Sequence, residues 1–258
     1  MCLILFAHKA HPEYPLVVAA NRDEFYNRPT RPMTFWRNDP DLLAGRDLEA
    51  GGTWLGVTRS GRFAAITNYR NPKSVNDNAP SRGQLVTDYL VGHNSPEHYL
   101  ARLRGTADRY NGFNLLVANF EGLYFFSNRN GRIEKLSPGI YGLSNQLLDT
   151  PWPKVEIGKA GLVKLLSGAD LLHVEDLFDL LAQRRQAPDD RLPDTGIGIE
   201  WERILSPLFI ESPDYGTRSS TVLVMNKSGR VTIAERTFDP LILNKNEPIT
   251  RHFAFQIT

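Results

Sequence analysis

Cys2 is the only cysteine in this 258-residue chain, and it directly follows the initiator methionine. Removal of Met1 makes it the new amino terminus, carrying a thiol and an α-amino base on one residue. That is a complete nucleophile-and-base unit, the device by which some enzymes activate Thr, Ser or Cys. A cysteine thiol ordinarily titrates near pH ~8.5, and neighbouring cations lower that value. Two arginines at the ends of strand-like runs can supply such cations: Arg22, within Asn21-Arg22-Asp23-Glu24, and Arg218. Asp23 is suited to hold the terminal amine by a charge-assisted hydrogen bond. The plainer alternatives are a small buried hydrophobe for Cys2, and an ion pair or turn for Arg22-Asp23.

Two asparagines also end strand-like runs: Asn68 after Ala64-Ala65-Ile66-Thr67, and Asn145 after Tyr141-Gly142-Leu143-Ser144. A side-chain amide N–H suits an oxyanion forming on a carbonyl, although each asparagine taken singly also reads as a turn residue. Gly51-Gly52-Thr53-Trp54 sets a large ring after two permissive glycines, which makes Trp54 either a pocket wall or an ordinary packed ring. Asn21 is a candidate substrate contact, with a turn or capping role as its alternative. Glu24 alternates away from Asp23 if the strand continues, and reads as a loop anchor outside the catalytic set.

Other chemistries lack their residues. His8 and His11 have no cluster of acids or thiols to complete a metal site. Gly196-Ile197-Gly198 lacks the spacing of a phosphate loop, and no nucleophile-elbow motif occurs. No metal or cofactor is therefore expected. Thirty basic and twenty-nine acidic side chains, interspersed, give a formal charge of +1, so no broad field recruits nucleic acid or an anionic membrane. No apolar run approaches the about 20 residues of a membrane helix, and a lone cysteine suits a reducing cytoplasm. The expected partner is a small-molecule amide or an amphiphilic ligand; oligomeric state is left open.

The elements that must position these residues follow from pattern. Leu3 to Ala7 and Leu16 to Ala20 read as strands, the second delivering Asn21 to Glu24 at its end. Phe25 to Gly52, with four prolines, reads as irregular. Thr53 to Thr58 and Arg62 to Asn68 flank the turn Arg59-Ser60-Gly61 as a hairpin, and Tyr69 to Ser81 reads as a polar loop. Gln84 to Val91 has helical spacing with Ser81 as its cap, and Ser95-Pro96-Glu97 starts another helix. Asn114 to Phe120, Leu123 to Ser127 and Arg132 to Leu136 form a meander. Pro153 to Leu166 and Val174 to Ala182 are helical. Gln183 to Tyr215 reads as a cover whose Trp201, Leu205, Leu208 and Phe209 can close an apolar cavity. Arg218 to Met225 and Val231 to Thr237 complete the strands. Strands and helices in alternating groups predict an α+β chain of one domain over residues 1–258, two antiparallel sheets between helical layers.

Met1-Cys2, Asn21-Arg22-Asp23-Glu24, Gly51-Gly52-Thr53-Trp54-Leu55-Gly56 and Tyr215-Gly216-Thr217-Arg218-Ser219-Ser220-Thr221 together resemble the NRDE family, which includes the transport and Golgi organisation protein 2 homologues. The resemblance runs from Met1 to about Thr237. That family is in turn similar to N-terminal nucleophile hydrolases, especially the cysteine type that cleaves bile-salt amides and penicillin V. The resemblance implies a four-layer αββα sandwich, with Cys2 as nucleophile and Arg22 and Asp23 in the second strand. Asn145 and Arg218 match the late asparagine and arginine, and Asn68 more loosely a further oxyanion-hole position. It implies an amidohydrolase acting on a non-peptide C–N bond of a small molecule. The alternative it implies is a non-catalytic carrier of haem or acyl-CoA-like amphiphiles on the same fold.

Overall fold

The computed structural model describes residues 2–168, 171–238 and 248–258. Met1, whose removal would free the Cys2 amine, lies outside them. In chain order the strands begin with β1 (Cys2–His8), β2 (Leu16–Phe25), β3 (Thr30–Phe35), β4 (Leu42–Asp47), β5 (Leu55–Thr58) and β6 (Phe63–Asn68). Helices α1 (Gly83–Val91) and α2 (Pro96–Arg104) follow, then β7 (Phe113–Asn119), β8 (Gly122–Ser127), β9 (Ile133–Lys135) and β10 (Gly139–Leu143). Next come α3 (Pro153–Gly168), α4 (Val174–Leu181) and α5 (Ile199–Ile204), and last β11 (Tyr215–Met225), β12 (Arg230–Thr237) and β13 (Ile249–Gln256). Among the described residues the strands form two sheets, ordered β10-β1-β2-β11-β12-β13 and β3-β4-β5-β6-β7-β8-β9. The chain is α+β, as expected from its pattern.

The described residues fall into two compact units: one of residues 2–28, 138–144, 148–168, 171–238 and 248–254, the other of Pro29–Ser137, Asn145–Leu147 and Phe255–Thr258. In the first unit the apolar run of β1 is buried at every position. Leu3, Leu5 and Ala7 join Val17, Ala19, Val222 and Val224 under α3 and α4, whose Val155, Leu162, Leu177 and Phe178 complete that core. Ile4, Phe6, Val18, Ala20 and Leu223 alternate onto the opposite face and are equally buried, since a strand changes face at each residue. Gly158 brings α3 close to β1: a Cβ there would lie 2.6 Å from Leu5 Cδ1.

The second unit is a meander in sequence order with α1 and α2 against one face. Ala64, Ile66, Leu115, Val117 and Phe126 pack there on Leu85, Val86, Tyr89, Leu100 and Leu103. The hairpin at Arg59-Ser60-Gly61 is present, with Gly61 at φ 77° and its N–H donating to the Thr58 carbonyl at 3.0 Å. Ser95 caps α2, accepting from the His98 N–H at 3.3 Å. Three expectations are corrected. Phe25 to Gly52 is not irregular but holds β3 and β4 and the end of β2, since ladder pairing overrides weak local propensity. β13 adds a further strand. Arg82, without a side-chain cap, occupies the capping position of α1, so Ser81 does not.

The glycine pair before Trp54 has a backbone reason. Gly51 sits at φ 82°, a conformation glycine adopts without steric cost. A Cβ on Gly52 would lie 2.5 Å from the carbonyl carbon of Gly83, at the start of α1. Because that obstacle is backbone, Gly52→Ala is expected to cost about 1–3 kcal/mol, the usual range for overpacking. Urea denaturation checks this; an unchanged midpoint would mean that the helix start yields freely.

Candidate functional site

The β1–β2 ladder places Cys2 directly opposite Arg22. Residues paired across antiparallel strands share a face, so thiol and guanidinium stand on the same side of the first unit's sheet. The row continues: Arg22 opposes Ser219 in β11, and Ser219 opposes Thr237 in β12. Cys2, Arg22, Ser219 and Thr237 thus make one polar line across the sheet, on the face away from α3 and α4. Asp23 takes the other face. It pairs with Thr217, whose hydroxyl donates to Asp23 Oδ1 at 2.7 Å. The switch depends on a bulge, since two steps along β11, from Thr217 to Ser219, match a single step along β2. Arg218 is the inserted residue.

Burial dominates the electrostatics. Cys2 is 9% exposed, and that desolvation raises its thiol above the ordinary range, with Asp23 adding to the rise. Arg22 and the Asp23 backbone N–H act in the opposite direction. Glu24 tempers Arg22, lying 3.8 Å from its Nη2, and also meets Arg28 at 3.9 Å; this is the loop-anchoring part read for Glu24. Burial likewise raises the Asp23 carboxyl, opposed most strongly by Lys154 and then by other charges and the Thr217 hydroxyl. At rest, therefore, the thiol is neutral at neutral pH and depends on a base to ionise.

Arg218 turns its Nη1 to the carbonyls of Phe25, Tyr26 and Arg28, at 2.9, 3.0 and 3.1 Å. It latches the chain leaving β2, while Arg22 is the cation directly opposite Cys2. Asn21 is wholly buried. Its amide donates to the carbonyls of Leu181 and Leu208 at 3.0 and 2.8 Å, and its Oδ1 accepts from Ser220 at 2.6 Å. The substrate contact expected of Asn21 does not fit this placement, because its amide is committed to tying β2 and β11 to the end of α4. It also lies inside a strand and so serves no turn.

Ser144 Oγ donates to the Cys2 carbonyl at 3.1 Å. In the second unit the two candidate oxyanion donors are together: Asn145 Nδ2 donates to the Asn68 carbonyl at 2.9 Å. The Asn145 carbonyl accepts from the Arg70 N–H at 2.7 Å. Trp54 is half-buried and packs against the core beneath α1. Among the described residues no group of three or more His, Cys, Asp or Glu side chains is placed to hold a metal, and no helix is long and apolar enough to cross a membrane.

The family model described as Transport and Golgi organisation 2 matches residues 1–240. The chain belongs to this family. A Bos taurus relative, the Transport and Golgi organization protein 2 homolog, is 36% identical over 276 residues, covering 99% of this chain and all of that protein. The Homo sapiens homolog of the same name is 35% identical, again over 99% of this chain and all of its own. Among solved structures, a Caenorhabditis elegans ortholog of N-acylethanolamine-hydrolyzing acid amidase aligns with a TM-score of 0.51 at 12% identity. That alignment covers 86% of this chain and 92% of the other. The likeness shows the fold, that of the N-terminal nucleophile hydrolases, which is the fold class expected from the sequence.

Sequence reasoning missed two features of the site. One is the Arg218 bulge, for which a non-local ladder leaves no local signal. The other is Lys154, which is 2% exposed although lysine is rarely buried. The raised thiol gives a test. Alkylation of Cys2 by iodoacetamide in the folded protein should be slow at neutral pH and titrate above a free cysteine peptide. Located by mass spectrometry, a midpoint at or below that of the peptide would contradict the assignment. Stability should also fall as pH rises past the unfolded cysteine's value, because only the unfolded chain ionises its thiol there.

Proposed function

We propose that this chain is an N-terminal-cysteine amidohydrolase acting on a non-peptide C–N bond of a small-molecule amide. The observation that carries the reading is Cys2 at the first position of β1 with Arg22 directly opposite. Membership of the Transport and Golgi organisation 2 family and the hydrolase fold are compatible with it, although a fold alone does not fix an activity.

In this reading the Cys2 sulfur attacks the carbonyl carbon as its proton passes to the α-amine freed by methionine removal. The same proton then goes to the leaving nitrogen as the C–N bond breaks, leaving a thioester that water hydrolyses. A thiol that rests protonated suits this sequence, since its base acts only during attack. Asn145, helped by Asn68, supplies amide donors to the tetrahedral oxyanion. Arg22 favours the developing thiolate, Asp23 holds the amine, and Arg218 fixes the strand end that carries both. Trp54 forms a wall against the substrate, and a cytoplasmic setting keeps the thiol reduced. Of the residues that motivate the alternative, carriage of haem or an acyl-CoA-like amphiphile, Leu205, Leu208 and Phe209 are buried and Trp201 is exposed.

Incubation with a thiol-reactive lactam or amide probe should place the adduct on Cys2 of the methionine-free protein. Cys2→Ala and amino-terminal acetylation should each abolish both adduct and turnover. Asn145→Ala should lower kcat by about 100- to 1000-fold, the usual loss of one oxyanion donor. Turnover persisting in Cys2→Ala would sink the proposal, as would full activity with Met1 still attached.

A further inference from the structure

Lys154 occupies a costly position. It is the second residue of α3, where the positive end of the helix dipole disfavours a cation. It is 2% exposed, and a buried ammonium is stable only when a partner offsets its lost hydration. The packing of α3 indicates that partner. A Cβ on Gly142 would meet Val155 Cγ1 at 2.7 Å, and one on Gly158 would meet Leu5 Cδ1 at 2.6 Å, so the helix runs directly over β10 and β1. Lys154 lies one turn before Gly158, near the beginning of α3. Asp23 is 1% exposed and stands on the face that α3 and α4 cover, one step beyond Arg22, the partner of Cys2. Lys154 is also the strongest charge acting on the Asp23 carboxyl. Thr217 of β11 hydrogen-bonds that carboxyl, Arg22 is its chain neighbour, and the end of α4 is engaged by Asn21 instead.

We infer that Lys154 is a positioning residue for the reaction at Cys2: its buried ammonium fixes the Asp23 carboxylate, and Asp23 holds the amine that takes the thiol proton. This rests on the amidohydrolase reading for its purpose, but the Lys154–Asp23 couple is measurable without any substrate. A cation placed against its own helix dipole serves no local stability, so its contribution is to the carboxylate.

The test uses the full chain as Lys154→Met, Lys154→Arg and the double variant Lys154→Met/Asp23→Asn. Isotope-edited infrared spectroscopy, with Asp23→Asn as the blank, reads the Asp23 carboxyl; iodoacetamide kinetics read Cys2. In Lys154→Met the Asp23 carboxyl should titrate at a higher pH than in the wild type, and the Cys2 alkylation midpoint should move down, because a less ionised Asp23 opposes the thiolate less. Lys154→Arg should restore both. The double variant should regain the stability lost in Lys154→Met yet keep the lowered midpoint, and it carries the test if Lys154→Met alone does not fold. An unmoved Asp23 titration and an unmoved midpoint in folded Lys154→Met, or a double variant with the wild-type midpoint, would overturn the inference. Absence of turnover in the wild type would defeat the amidohydrolase reading and leave the couple standing. Full turnover in Lys154→Met would remove the positioning role and leave Cys2 as nucleophile.

Discussion

A strand sends alternate side chains to opposite faces, so what a sheet presents depends on the phase in which each strand enters its ladder. In the first unit that phase is set by the inserted Arg218. Were Arg218 paired in a regular ladder instead of bulged, Thr217 and Ser219 would project to one side. With the bulge, Thr217 meets Asp23 beneath the helices while Ser219 joins Arg22 and Cys2 on the other face. Bulges commonly re-aim side chains beside active sites, and this one separates a carboxylate from a thiol that differ by a single row. The guanidinium of Arg218 then holds the carbonyls of Phe25, Tyr26 and Arg28, so the residue that makes the bulge also fixes the strand it serves.

Separation of the charges explains why the thiol is not a standing thiolate. Arg22 faces it, but Glu24 shares that guanidinium, and burial outweighs both. Asp23 sits on the far side with its own cation and hydroxyl, close enough to act through its backbone N–H. The arrangement favours the protonated form of the buried thiol. A permanently ionised sulfur in the same place would be open to oxidation and to adventitious electrophiles.

Much of this architecture was legible because its signals are local. Arg59-Ser60-Gly61 carries its own turn chemistry, Ser95-Pro96-Glu97 its own cap, and Leu3 to Ala7 its own apolar run. The places of Cys2, Arg22 and Asp23 in β1 and β2 were legible because the apolar runs that carry them are local. What escaped was non-local. β3 and β4 contain little continuous hydrophobicity and exist by pairing with neighbours in the meander. Asn21 looked free to contact a ligand until the carbonyls of Leu181 and Leu208, more than 150 residues on, were found on its amide. Lys154 begins a helix whose pattern alone would place a lysine in solvent.

β1 is an inner strand, with β2 on one side and β10 on the other. Its second neighbour comes from residues 139–143, and β2 in turn completes its pairing only with residues 215–225. The surroundings that silence Cys2 are therefore assembled from both ends of the chain, and long-range pairings of this kind form late. A ribosome-bound or partly unfolded chain carries an ordinary, accessible cysteine at its start. Folding itself acts as the safety catch on the sulfur.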